Sequence, residues 1–127
     1  MILISIFTAI ILLGLLIASS NKRTNRGLFK QLGKHGYEPI TPGFSLEELD
    51  VLPLDDERII EEYKNIADIL FEESGILVLP LQFFKSGWRY TITSKYKGDF
   101  LNSDKNYYTR QEALRAAFIH ILKEKWI

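Results

Sequence analysis

The first twenty residues contain no charged side chain, and this apolar run constrains the chain more than any other feature. Residues 1–20 read MILISIFTAIILLGLLIASS and are interrupted only by small or hydroxyl-bearing side chains. About 20 helical residues span about 30 Å, the thickness of the hydrocarbon core of a bilayer. Buried helices of soluble domains seldom extend so far without a charge. The sequence therefore predicts a transmembrane anchor over residues 1–20.

A cleaved signal peptide is the alternative interpretation of this run. Such a peptide has a basic start, a shorter apolar core and a cleavage site of small residues. The first charged side chain here is Lys22, and the apolar run is longer than the core of a signal peptide. The small residues 18–20 nevertheless offer an acceptable cleavage site, so cleavage stays open. A lipid-modified lipoprotein is excluded because the chain has no cysteine.

The residues that follow the apolar run are basic, and this bias predicts the orientation of the anchor. Between residues 21 and 37 there are five basic side chains and no acidic one. Basic residues beside a membrane span stay on the cytoplasmic side, so we expect the N-terminus outside and the rest of the chain inside. Anionic lipid attracts such clusters. The predicted membrane-surface contacts are Lys22, Arg23, Arg26, Lys30 and Lys34, with Leu28, Phe29 and Leu32 on the membrane surface between them.

These features divide the chain into three parts. Residues 1–20 are the anchor, residues 21–43 are a basic juxtamembrane neck and linker, and residues 44–127 are a small cytoplasmic α+β domain. The formal net charge of zero conceals a segregation of charge along the sequence. Acidic residues concentrate between 38 and 73, and basic residues prevail from 74 onward. Either an acidic helix covers a basic sheet, or the domain is dipolar with its basic neck on anionic lipid.

Two helices are predicted for the domain, with a shorter helical turn before them. Ser45 and Glu48 have the spacing of a capping box that begins the short turn. Asp55 or Asp56 begins the first long helix, which ends at Gly75. Thr109 and Glu112 form a second box that begins the last helix, with a core stripe through Leu114, Phe118 and Ile121. The core stripe of the first long helix comprises Ile59, Tyr63, Ile66 and Leu70, widened by Ile60, Ala67 and Phe71; its solvent face carries Glu61, Glu62, Lys64, Asp68 and Glu72.

An antiparallel hairpin is predicted between the two long helices. The strand 76–84 places Leu77, Leu79, Leu81 and Phe83 on one face, and its Pro80 indicates an edge strand or a bulge. In the strand 88–96, Trp88, Tyr90 and Ile92 point inward, whereas Arg89, Thr91 and Thr93 point outward. A third strand is expected near Phe100 or at 106–108. We therefore expect an α+β sandwich in which both helices pack on the apolar face of the sheet.

Residues 75–124 resemble a known family in their order of elements. A strand, a second strand that starts with W-x-Y, a polar connection and the helix YYTRQEALRAAFIHIL follow one another. This order is similar to that of the small α-β-α sandwich domains of phage and prophage proteins. The resemblance implies a small accessory protein of a phage or bacterium. It implies no catalytic residue.

No residue pattern in the sequence indicates an enzyme, a cofactor or a metal site. The sequence contains no phosphate-binding loop, no dinucleotide fingerprint and no serine elbow. The acidic residues 55–57, 61 and 62 could suggest acid–base or Mg²⁺ chemistry, but helix capping and a solvated helix face explain them. His120 and Glu124 share a helical face, yet a zinc site needs three or four ligands. His35 lies among glycines and is expected to be a solvated loop residue.

Nucleic-acid binding is the alternative function. The hairpin and the last helix carry basic residues interleaved with aromatic ones, which is typical of single-strand platforms. The inward phase of Trp88 and Tyr90 and the acidic balance of the domain oppose it. The sequence thus predicts a non-catalytic, membrane-anchored module that binds a protein partner, with nucleic acid and small molecules as less favoured ligands. The alternative nucleic-acid contacts are Arg89, Lys95, Lys97 and Arg110.

Overall fold

A computed structural model describes residues 24–83, 87–95, 100–103 and 105–127 of the chain. The predicted anchor at residues 1–20 lies outside these ranges, as do Lys22, Arg23 and Lys97. Within the described ranges, no helix combines the length and apolarity needed to cross a bilayer.

The described chain has an α+β architecture, as the sequence predicts. Its helices are α1 (Leu28–Gly33), α2 (Leu46–Val51), α3 (Glu57–Ser74) and α4 (Arg110–Lys123). Its strands are β1 (Ile76–Phe83), β2 (Gly87–Ser94) and β3 (Phe100–Asn102). The strands form an antiparallel sheet in the order β1-β2-β3, so β1 is an edge strand, as Pro80 indicated.

The predicted helix boundaries follow from capping side chains that the structure shows in place. Ser45 and Glu48 form a reciprocal capping box at the start of α2. Asp56 caps α3 by accepting from the amide of Arg58, and Gly75 ends that helix in the left-handed conformation. Thr109 accepts from the amide of Glu112 at the start of α4. Each cap satisfies amides that the first turn of a helix leaves unpaired.

The core lies between one face of the sheet and the helices α3 and α4, which both pack against it. Ile59, Tyr63 and Ile66 of α3 are buried there, opposite Ile92 of β2 and Phe118 of α4. The rings of Tyr63 and Phe118 meet edge to face, 5.2 Å apart between centroids. The helical stripes predicted from periodicity are confirmed at these positions. Phe71 is an exception, because its side chain is exposed.

The hairpin register places the leucine-rich face of β1 away from the helices, contrary to the expected packing. Val78 pairs with Ile92, and both are buried in the core. Leu79 pairs with Thr91 on the opposite face of the sheet. Directly paired residues share a face, so a one-residue difference in register decides which set is buried. The core therefore takes Ile76 and Val78, while the four residues expected to meet the helices stay exposed: Leu77, Leu79, Leu81 and Phe83.

Both positions suggested for a third strand are used. Residues 100–102 pair with β2, and Tyr107 forms a separate antiparallel bridge with Trp88. The two amides of that bridge donate to the opposite carbonyls at 2.7 Å. Gly87 makes this approach possible, because a Cβ there would lie 2.4 Å from the carbonyl oxygen of Tyr107. Its φ of 94° also favours glycine. The start of β2 is thereby joined to the segment that leads into α4.

Residues 24–43 are packed into the domain, which contradicts the expected membrane-surface helix. The side chains of Leu28, Phe29 and Leu32 are buried in the common core. Phe29 packs against the rings of Tyr37 and Tyr63. Apolar side chains enclosed by protein cannot also contact lipid. The predicted placement of these three residues on the membrane surface is therefore wrong.

Candidate functional site

The exposed face of the sheet is the most distinctive surface of the described chain. We call it the outer sheet face; it comprises the exposed Leu77, Leu79, Leu81 and Phe83 of β1 with the half-buried Arg89 and Thr93 and the buried Thr91 of β2. The four apolar side chains of β1 are 39–43% exposed. They form a continuous stripe because alternate residues of a strand point to the same side.

The stripe ends at Phe83, whose ring contacts the guanidinium group of Arg89. The guanidinium carbon of Arg89 lies 4.9 Å from the centroid of the Phe83 ring, and the Arg89 side chain also donates to Asn106. Thr91 is bonded to Asn102 across the strands at 2.8 Å. The polar rim of this face is thus ordered by its own contacts. An ordered rim around an apolar stripe is typical of protein-interaction surfaces.

The carboxylate of Glu62 is completely buried, at 0% exposure, although the periodicity of α3 placed it on the solvent face. It accepts a hydrogen bond from the hydroxyl of Tyr37 at 2.7 Å and one from the amide of Ile40 at 2.9 Å. Its second oxygen accepts from the amide of Thr41 at 3.1 Å and from the Thr41 hydroxyl at 2.9 Å. We call this arrangement the Glu62 clamp.

The Glu62 clamp has a structural role rather than a chemical one. Its donors all belong to the segment 37–41, so the carboxylate fixes that segment on α3. A general base must reach a substrate proton, and a fully buried carboxylate with its oxygens already bonded cannot do so. Burial also raises the pKa of the Tyr37 hydroxyl, which keeps this donor protonated. The segment predicted as a linker is thereby held to the domain.

A second cluster, the neck clamp, fixes the point where the described chain begins, and three of its five side chains are buried. It comprises Thr24, Asn25, Asp50, Tyr63 and Arg115. Arg115 donates to the carbonyl of Thr24, and the Tyr63 hydroxyl donates to the side chain of Asn25. The side-chain amide of Asn25 donates to the carbonyl of Leu49 at 2.9 Å. The carboxylate of Asp50 accepts from the amides of Phe29 and Lys30 at 2.8 and 3.1 Å, and burial raises its pKa.

The neck clamp joins four distant parts of the sequence. Thr24 and Arg115 are 91 positions apart, and Asn25 and Tyr63 are 38 apart. Sequence reasoning missed this cluster because its residues belong to different elements. The one local signal is Arg115, a charged residue inside an otherwise apolar helical stripe.

The basic residues predicted to touch the membrane separate into two groups. Arg26, Lys30 and Lys34 are exposed on and beside α1. Lys22 and Arg23 lie outside the described residues. Because α1 is packed into the core, the backbone at Lys30 is fixed to the domain.

The residues predicted to bind nucleic acid are not brought together. Arg89 and Lys95 stand at opposite ends of β2, about 20 Å apart at the rise of a strand. Arg110 is exposed at the start of α4, and Lys97 lies outside the described residues. Of the aromatic residues expected to stack on bases, Tyr90 is buried and packs against the ring of Tyr107.

The histidines take no part in a ligand cluster. In the part of the chain that the structure describes, no three His, Asp or Glu side chains come together as metal ligands would. The ring of His120 packs edge to face on Trp126, and His35 is exposed.

Comparison of the chain with protein-family models, with curated proteins and with solved structures found no match.

Proposed function

We propose that this protein is a non-catalytic, single-pass membrane protein that presents a small cytoplasmic interaction domain to a protein partner. The observation that carries the proposal is the outer sheet face, where four apolar side chains of one edge strand stay accessible to solvent. Among the described residues, the helices pack on the other side of the sheet, and the four apolar side chains of β1 on the outer sheet face remain exposed. An exposed apolar stripe of this kind on a small domain is typical of a binding surface.

The anchoring part of the proposal is supported by the sequence of residues 1–34. Twenty uncharged residues are followed by five basic ones, which favours an N-out, C-in orientation. The neck clamp adds a reason for such an arrangement. It fixes the chain at Thr24, four residues after the apolar run, so the domain would stay close to the bilayer.

The non-catalytic part of the proposal is supported by the structural roles of the carboxylates. Glu62 and Asp50 bind backbone amides, and Asp56 caps a helix. These carboxylates stabilise the fold. Nucleic-acid binding, the alternative function, is disfavoured because Tyr90 is in the core and the predicted basic contacts are spread over the domain.

Site-specific photo-crosslinking in cells tests the proposal. A photoreactive amino acid at position 79, in the middle of the stripe, is compared with one at position 64, where Lys64 is exposed on α3. We expect one discrete adduct in the membrane fraction from position 79 and none from position 64. The adduct should disappear in the background of Leu81→Gln.

The same experiment can refute the proposal. No adduct at position 79 above the level at position 64 would contradict a partner on the outer sheet face. An adduct with twice the mass of the chain would show that this face joins two copies instead. A partner identified from the adduct by mass spectrometry must then bind the purified full chain in lipid nanodiscs. The substitution Leu79→Gln must lower its affinity.

A further inference from the structure

The two most exposed apolar side chains of the described residues flank the point where the chain leaves for its N-terminal apolar run. Val51 is 73% exposed and Tyr108 is 93% exposed. Thr24 lines a groove of about 590 Å³ together with Pro53 and Leu54, which follow α2, and with Thr109 and Gln111 at the start of α4. Thr24 therefore lies between the end of α2, where Val51 stands, and the start of α4, which Tyr108 precedes. We call this surface the exit face.

The distance from the apolar run to the exit face is short. Four residue steps separate Ser20 from Thr24, and a fully extended chain covers about 14 Å in four steps. The connection cannot be lengthened by unwinding the chain at Thr24, because Arg115 and the other members of the neck clamp hold Thr24 and Asn25 in the domain. A domain of about 100 residues has a radius of gyration of about 13 Å. A domain on so short a tether touches the headgroup region of any bilayer that the apolar run spans.

The tether also decides which side of the domain makes this contact. The exit face includes the starts of α3 and α4, whereas the end of α3 lies about 25 Å further along its axis. The tether therefore holds the exit face near the bilayer, whereas the end of α3 can lie well away from it.

The chemistry of the exit face fits the membrane interface. A tyrosine with an exposed ring is the kind of side chain that settles at headgroup level, and valine can enter the acyl boundary beside it. The charged side chains that line the groove of the exit face, Asp55 and Glu112, are both acidic, so they do not attract anionic lipid. The contact is accordingly apolar and aromatic rather than electrostatic.

We infer that the exit face rests on the bilayer, with Tyr108 and Val51 inserted at the level of the lipid headgroups. This inference rests on the proposed function, because it requires residues 1–20 to span the membrane. In this inference, two apolar side chains from distant parts of the sequence make the membrane contact. The basic residues of the neck do not make it.

Single-cysteine labelling of the full chain tests the inference, since the natural sequence has no cysteine. The variants Tyr108→Cys and Val51→Cys carry an environment-sensitive dye in reconstituted vesicles of phosphatidylcholine, with or without phosphatidylserine. The matched control is Phe71→Cys, an exposed apolar position near the far end of α3. Lipids with a nitroxide at the headgroup should quench most of the fluorescence at positions 108 and 51, in both vesicle types, and leave that at position 71 unchanged.

Flotation of the carbonate-washed vesicles, on the same samples, separates the two levels of the argument. Protein that fails to float would overturn the anchor and the inference with it. Protein that floats, with positions 51 and 108 quenched no more than position 71, would overturn the inference alone. Quenching that requires phosphatidylserine would also overturn it, because the contact would then depend on basic side chains rather than on Tyr108 and Val51.

Discussion

Replacing Glu62 should destabilise the domain far more than its place in the sequence suggests. The variant Glu62→Met keeps the length of the side chain and removes both acceptor oxygens of the Glu62 clamp. The amides of Ile40 and Thr41 and the hydroxyls of Tyr37 and Thr41 then lose their partner. The segment 37–41 would no longer be fixed to α3.

The size of the effect follows from the donors that are left. The two amides take part in partly buried hydrogen bonds, and each unpaired amide costs about 1–3 kcal/mol. The two hydroxyls belong to half-buried residues that can turn toward water and cost less. We expect Glu62→Met to lower the free energy of unfolding by about 3–5 kcal/mol. Glu62→Gln should cost about 1 kcal/mol, because its oxygen keeps the Thr41 donors and its amide can donate to the Tyr37 oxygen.

The assay is thermal unfolding of the detergent-solubilised full chain, followed by circular dichroism. Each kcal/mol lowers the Tm of a domain of this size by roughly 4–8 °C, so Glu62→Met should lower it by at least about 12 °C. The matched control is Glu61→Gln, which loses only an exposed 3.2 Å ion pair with Lys64 and should change the stability by less than about 1 kcal/mol. Equal and small shifts for Glu62→Met and Glu61→Gln would refute the structural role of the clamp.

Three further predictions concern the neck, acid stability and nucleic acid. Arg115→Met should cost about 1–3 kcal/mol and increase hydrogen exchange at the amide of Asn25, whereas Arg110→Met at the exposed start of the same helix should do neither. Hydrogen bonds from Arg58 lower the pKa of Asp56 from 3.8 to about 2, so the contribution of Asp56 to stability is complete above pH 4 and is lost as the pH falls toward 2. Asp56→Ser should flatten the dependence of the unfolding free energy on pH in that window. An unchanged pH dependence would refute this cause. In gel shifts over a salt series, the full chain in detergent should show no tight, salt-sensitive binding of single-stranded DNA, and such binding would favour the alternative function.

The helices and their ends could be predicted from the sequence because the signals are local. The cap at Asp56 and the box at Ser45 need only residues within one turn, and the structure shows both. The stripe through Ile59, Tyr63 and Ile66 follows from periodicity alone. The edge position of β1 was indicated by one residue, Pro80, which cannot donate to a neighbouring strand.

The leucine-rich face of β1 could not be assigned from the strand alone, because both of its faces are apolar. Leu77 and Leu79 alternate with Ile76 and Val78, so hydrophobicity does not distinguish the two sides. The partner strand resolves the ambiguity: Leu79 pairs with Thr91, which the alternation of β2 had already placed outward. Reading the two strands in register would have given the correct packing.

The two clamps were hidden for a different reason. Glu62 lies on the polar side of an amphipathic helix, and its burial depends on a segment more than twenty residues away. The burial of Phe29 likewise depends on Asp50, which accepts its amide, and on the ring of Tyr63. No local pattern encodes contacts of this range, so a basic segment with a few apolar residues was expected to lie on lipid.

The position of the N-terminal segment in the mature protein tests the central claim most directly. The measurement combines the intact mass of the membrane-extracted protein with protease treatment of intact cells. Our account predicts the mass of the full 127-residue chain and a domain untouched by external protease until the membrane is permeabilised. A mature chain that starts near Asn21, or digestion of the domain from outside, would contradict both the anchor and the cytoplasmic position of the domain.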